Sequence, residues 1–324
     1  MIKRIALLWL ALGGMALIVG AARQARAASI APEITVEVRP TPIFPAQAGY
    51  VYVAGPYPLD VQGSINGQPL NFFWSGDGYV GLFAFDFDAP PGDYPIDVTV
   101  RQPGRVEPFV YQRALQMGES PYKEEYIALP LELTPLLDEE AEAVEAAQIQ
   151  AVYDHMTPMT TWDWPYQLPI VDPIVTSPFG GERSYLDYQL KRRHTGTDLR
   201  RPGGSPVGAT AAGRVAAVEA FQVHGLCVFL DHGWGVFSMY AHLSDAPVAV
   251  GDWVERGQVI GLVGSTGRST APHLHWEIAV NGIQVDPIEW MALMPGFERP
   301  PKVLYMPDGR ELLQFPTPIP PPDY

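Results

Sequence analysis

Two five-residue segments, His194-Thr195-Gly196-Thr197-Asp198 and His273-Leu274-His275-Trp276-Glu277, gather three imidazoles and two carboxylates in patterns that can bind a metal ion. The first contains two β-branched threonines and a glycine, poor material for a helix. It is therefore expected to be extended, with His194 and Asp198 on one face. Gly196 falls between them on that face and, lacking a side chain, leaves room for an ion. In the second segment alternate residues share a face, and the two histidines stand roughly 7 Å apart along a strand. One imidazole can then bind metal while the other reaches water on the ion. Imidazole and carboxylate donors suit zinc, and a catalytic zinc needs three protein ligands with its fourth position open. Spacing leaves open which of His273 and His275 is the ligand. Glu277 shares their face, and either orients an imidazole or is an ordinary strand-surface glutamate.

Such segments need a rigid frame, and the surrounding chain carries the signals of one. Around residues 169–291 glycines recur at short intervals with almost no helical periodicity, which predicts strands and turns. Earlier, residues 34–133 alternate with period two: Ile34, Val36 and Val38; Phe83, Phe85 and Phe87; Ile96, Val98 and Val100. Asn66-Gly67, Ser75-Gly76-Asp77-Gly78 and Pro90-Pro91-Gly92-Asp93 separate these runs as turns. The spacing predicts a small antiparallel sandwich of immunoglobulin-like type, and without a histidine it has no catalytic cluster. Between the two regions Thr134-Pro135 marks a helix start, and Leu137, Ala141, Val144, Ala147 and Ala151 recur at three- and four-residue steps. An amphipathic helix ending near Met156, before Pro158, is expected there as a packed linker. The fold class is therefore mainly β. Its expected division is a sandwich at 32–133, a helical linker at 134–160, an antiparallel β domain at 161–296 and a proline-rich extended tail at 297–324.

The first 27 residues read as an export signal: Lys3 and Arg4, an apolar run over 5–19, and small residues ending in Ala25-Arg26-Ala27. Cleavage after Ala27 is expected; if the segment stays uncut, it is a membrane anchor. Either way the body of the protein lies outside the cytoplasm, in the periplasm, on the cell wall or secreted. Hydrophobic content of 47% indicates a globular chain rather than a disordered one. With 36 acidic residues against 21 basic ones, four of which leave with the signal, nucleic acid is excluded as a partner. The single Cys227 cannot form an intramolecular disulfide and reads as a small core residue.

Ser177-Pro178-Phe179-Gly180, the run from His194 to Asp198, Tyr240-Ala241-His242-Leu243-Ser244, Gly264-Ser265-Thr266-Gly267 and His273-Leu274-His275 together resemble the lysostaphin/LytM-type zinc endopeptidases. The resemblance covers the second domain, about residues 169–291. It implies that His194, Asp198 and His275 bind one zinc ion, with His242 and His273 as catalytic residues beside the water. It also implies a substrate, the peptide part of bacterial peptidoglycan, and an antiparallel β metallopeptidase fold. Zinc would bring the pKa of its water from 15.7 toward ~7, and His242 or His273 would supply the proton the leaving amine needs. Two departures bear on substrate fit: Ala271 where glycine is common, and the long stretch over 181–193 ahead of the first ligand.

The alternative is a non-hydrolytic relative that binds wall or activates an amidase. Such a protein is expected to lose metal ligands, and this sequence keeps all three. His155, His224 and His232 read as a helix-surface, a loop and a turn histidine, outside the chemistry.

Overall fold

The computed structural model describes residues 33–56, 58–126, 137–158, 166–185, 190–293, 302–305 and 311–315. The export signal, the expected helix start at Thr134-Pro135 and most of the proline-rich tail lie outside them.

Alternation in the N-terminal region becomes two four-stranded antiparallel sheets. One runs Thr35–Arg39, Ala48–Ala54, Tyr79–Ala84, Phe72–Trp74; the other runs Gln68–Leu70, Asp60–Ile65, Gly92–Arg101, Phe109–Met117. Val51, Val53 and Phe83 from the first and Ile96, Val98 and Val100 from the second enclose a single core. Each such side chain, fully removed from water, stabilises the fold by roughly 1.5–3 kcal/mol before entropy is counted. Asn66 and Gly67 both adopt positive φ, 49° and 78°, as a two-residue hairpin turn between Ile65 and Gln68 requires.

The C-terminal region is a ten-stranded antiparallel sheet. Its main path runs Ile174–Ser177, Thr197–Arg200, Leu274–Val280, Val236–Asp245, Leu226–Asp231, Gly213–Ala220, Trp253–Val254. The central strand Leu274–Val280 is buried along its whole length, because both of its faces are covered. Leu274, Trp276, Ile278 and Val280 point into the main core, while Ala279 joins Phe229, Phe237 and Met239 in a smaller cluster on the opposite face. Ile149 and Tyr153 of the helix Glu139–Tyr153 close that second cluster.

The helix differs from its sequence reading in which face it buries. Asp138 caps it, accepting from the backbone N–H groups of Glu140 at 3.0 Å and Ala141 at 3.4 Å, and Glu139, Glu140 and Glu142 in the first turn complement the helix dipole. Its buried residues are Glu145, Ile149 and Tyr153, whereas Val144, expected in the apolar stripe, is exposed. An i, i+4, i+8 stripe with a glutamate in it does not register as apolar periodicity.

The two regions also touch directly. Strand Glu124–Tyr126, on the chain leaving the N-terminal sheets, pairs in parallel with Glu182–Tyr185, which forms a hairpin with Leu190–Arg193. Phe87 stacks on Phe179 with ring centroids 5.0 Å apart, and Asn281 donates to the Leu82 carbonyl at 2.9 Å. Cys227 is a buried core residue, as expected. Among the described residues no helix is long and apolar enough to cross a membrane.

Candidate metal centre

Register brings the two chemical segments together. Asp198 on Thr197–Arg200 pairs directly with His275 on Leu274–Val280, and Ala241 of Val236–Asp245 flanks His275 on its other side. His194 lies just before the strand rather than in it, held by backbone hydrogen bonds that link it to Gly180 and Gly181. The first segment is thus extended but bends at Gly196. The space at Gly196 serves a side chain: a Cβ there would meet His275 ring atoms at 2.8 Å and the Trp276 carbonyl at 2.6 Å. The missing side chain therefore admits the imidazole of His275 instead of making room for an ion.

The resulting donor atoms form a small triangle. His194 Nε2 lies 3.0 Å from Asp198 Oδ1 and 3.2 Å from His275 Nδ1, which is 2.9 Å from the same Asp198 oxygen. Bonds of ~2.0–2.1 Å at tetrahedral angles place ligand atoms ~3.3 Å apart, so the triangle matches a zinc site in size. The outward nitrogens are already committed. His194 Nδ1 donates to the Pro178 carbonyl at 2.6 Å, and His275 Nε2 donates to Glu277 Oε1 at 3.1 Å. In their neutral forms, rings so held turn two lone pairs and a carboxylate oxygen toward one point. A proton there can serve one pair, whereas a cation serves all three donors, and the donor set fits zinc.

The surroundings favour positive charge at that point. Burial opposes ionisation of Asp198, but His194 and the Arg183 guanidinium outweigh it and hold the carboxyl well below its usual range. For His275, burial is outweighed by hydrogen bonds to Asp198 and Glu277, which push its pKa up to about 9. Glu277 is no surface residue. Wholly buried, it also accepts from Thr195 Oγ1 at 2.5 Å and from the Tyr153 hydroxyl at 2.8 Å. It orients His275 from behind, as one of the two sequence readings had it.

His242 and His273 face the triangle from the other side. Each donates Nδ1–H to a carbonyl at 2.8 Å, His242 to Thr266 and His273 to Ala271, so each presents Nε2 toward the centre. Their rings are 4.7 Å apart, and His273 Nε2 lies 3.7 Å from Asp198 Oδ1. Burial, then His273, hold the pKa of His242 well down, which keeps it neutral. His242 reaches this place through a break in strand alternation: its φ is 58°, so Ala241 and His242 both lie toward the site before Leu243 returns to the core.

A cavity of about 480 Å³ opens over these groups, with Arg183, Arg192 and Arg268 on its walls in an otherwise acidic chain. Arg183 pairs with the second oxygen of Asp198; Arg192 and Arg268 both pair with Glu142 of the helix. Sequence spacing did not single out these arginines, nor Glu145 or His224. His224, expected as a loop residue outside the chemistry, lines the cavity with its ring 5.4 Å from that of His275. His232 is structural as expected, though fully buried, bound between the Ala212 carbonyl and Ser238.

The family model of peptidase family M23 matches residues 192–287, which contain all five candidate residues, His194, Asp198, His242, His273 and His275. These residues form an M23 domain. The DD-carboxypeptidase/endopeptidase Mpg of Neisseria meningitidis is 44% identical over 120 residues, 37% of this chain and 27% of that protein. The peptidoglycan DD-endopeptidase ShyC of Vibrio cholerae is 38% identical over 113 residues, 35% of this chain and 26% of that protein. The chain thus matches about a quarter of the length of these relatives. A solved structure of a peptidase M23 protein from Pseudomonas aeruginosa is similar over 79% of this chain and 97% of its own, with a TM-score of 0.56 and 26% identity. That span exceeds the M23 domain and takes in N-terminal sheet as well.

Proposed function

We propose that this protein is an exported zinc metalloendopeptidase that hydrolyses peptide bonds in bacterial peptidoglycan, of the DD-endopeptidase type named for its relatives. The observation that carries this reading is the convergence of His194 Nε2, Asp198 Oδ1 and His275 Nδ1 within 3.2 Å of one another beneath a cavity with two further imidazoles. In it, His194, Asp198 and His275 hold one zinc ion, which when bound supplies Lewis-acid polarisation and acidification of water. The chain's own groups do the rest. Arg183 occupies one oxygen of Asp198, which leaves the other for the histidines. Glu277 fixes the ring of His275 and Pro178 fixes that of His194, so both bare nitrogens stay aimed before substrate arrives. His242 and His273, anchored through Nδ1–H, each have a bare Nε2 for proton transfer: the ring that accepts the proton of the attacking water is then the acid that delivers it to the leaving amine.

The rival is a wall-binding or amidase-activating protein of the same fold, and the complete donor triangle favours hydrolysis over it. Export rests on the segment 1–27, with membrane association only if that segment is uncut. The N-terminal region, 32–133, is read as an immunoglobulin-like sandwich, supported by two four-stranded sheets around one core. The helical linker spans 134–160, the peptidase domain 161–296 and the tail 297–324. Mass spectrometry of fragments released from purified sacculi tests the activity. Cross-linked peptides should be cut by the zinc-loaded protein and left intact with chelator; no release by the zinc-loaded protein would favour the rival.

A further inference from the structure

Glu145 is a carboxylate in the packed face of the linker helix, 4% exposed. A carboxylate so buried must be satisfied by donors. It accepts from the backbone N–H of Val223 at 2.8 Å, from that of His224 at 2.9 Å, and from His224 Nδ1 at 2.5 Å. Three donors from one loop on one carboxylate clamp that loop to the helix. They also set the tautomer of the neutral ring, in which Nδ1 of His224 carries the proton and Nε2 keeps its lone pair. Among the described residues no group hydrogen-bonds to that Nε2. The ring lines the cavity, nearly parallel to His242 at 6.4 Å between centroids.

We infer that His224 is a substrate-positioning residue whose Nε2 accepts a hydrogen bond from a backbone N–H of the bound wall peptide, and that Glu145 is the positioning residue that aims it. The inference rests on the reading of the cavity as a peptide-cleaving site. A lone pair facing a peptide groove selects N–H donors, which a peptide backbone supplies and its carbonyls do not. A second metal site is the competing use, since His224, His275 and Glu277 have donor atoms within 4.8 Å of one another. The geometry disfavours it: His275 Nε2 already donates to Glu277, whose oxygens also accept from Thr195 and Tyr153.

The test compares the full chain with His224→Phe, His224→Gln and Glu145→Gln, using a soluble cross-linked wall peptide. Loss of one substrate hydrogen bond should raise KM about tenfold in His224→Phe, with kcat within about twofold. His224→Gln, which restores an acceptor, should recover part of that loss. Glu145→Gln, whose amide keeps only one acceptor oxygen for the three donors, should raise KM similarly and weaken the preference of His224 for the Nδ1–H tautomer, read by nitrogen-15 NMR of the metal-free protein. An unchanged KM in His224→Phe, a loss confined to kcat, a His224→Gln no better than phenylalanine, or a second equivalent of bound zinc would each overturn the inference. Failure of the wild type to cut the peptide would sink the proposed function itself, and this inference with it.

Discussion

The N-terminal sheets and the M23 sheet are built from the same alternating pattern, yet they use their second faces differently. In strand Gly92–Arg101 the side turned away from the core meets solvent, so Asp93, Pro95 and Arg101 are exposed there. In strand Leu274–Val280 the second face is covered, and it carries His275 and Glu277 in full burial. A buried polar face costs stability unless each group finds a partner, and here each one does. One face of the M23 sheet thus carries the main core, while the other combines a smaller apolar cluster with the candidate metal centre, and in the N-terminal sheets only a core-forming face is seen.

That division can be broken from either face. Asp198→Ala removes a donor from the chemical face and should abolish zinc retention, lowering hydrolysis more than the ~100-fold that loss of an outer partner can cost. Metal analysis beside turnover checks this, and normal zinc content would remove Asp198 from the ligand set. On the packing face, Trp276→Ala should cost about 3–5 kcal/mol and destabilise the M23 sheet, while Ile96→Ala in the N-terminal core should cost about 2–5 kcal/mol and leave zinc content intact. Denaturant unfolding paired with metal content separates the two; zinc loss from the folded Ile96 variant would show that the regions are not independent. Glu277→Gln keeps the shape but weakens the partner of His275, so zinc affinity should fall about 10- to 100-fold.

The smallest expected effect concerns acid. Burial holds the His232 pKa down to about 4, against 6.5 in the open chain. Because the folded value is the lower one, the unfolded chain takes up the proton first as pH falls. Stability should therefore drop from pH 6.5 downward, by about 2 kcal/mol at pH 5, and level off below pH 4. Residues 34–133 contain no histidine, so hydrogen exchange should show this loss in the M23 strands and not in the N-terminal sheets. In His232→Gln the slope should vanish; an unchanged slope would assign it to other groups.

Much of this was legible in the sequence because it depends on local periods. The strands of both regions, the turn at Asn66-Gly67 and the pairing of His194 with Asp198 follow from alternation, turn chemistry and ligand spacing. What was not legible depends on contacts between distant segments. The left-handed backbone at His242 breaks the alternation that would otherwise place it, and only the family resemblance pointed to that residue. Glu145 sits where an apolar residue is expected, because Val223 and His224, some eighty residues on, satisfy its carboxylate. Arg183 gains meaning only from Asp198, which lies in a different sheet and fifteen residues on in the chain.

The central claim, that His194, Asp198 and His275 share one divalent ion, is tested most directly by anomalous diffraction at the zinc edge from crystals of the zinc-loaded full chain. The account predicts one strong peak about 2.0–2.2 Å from His194 Nε2, an Asp198 carboxylate oxygen and His275 Nδ1. A peak elsewhere, or none at these three atoms, would contradict it.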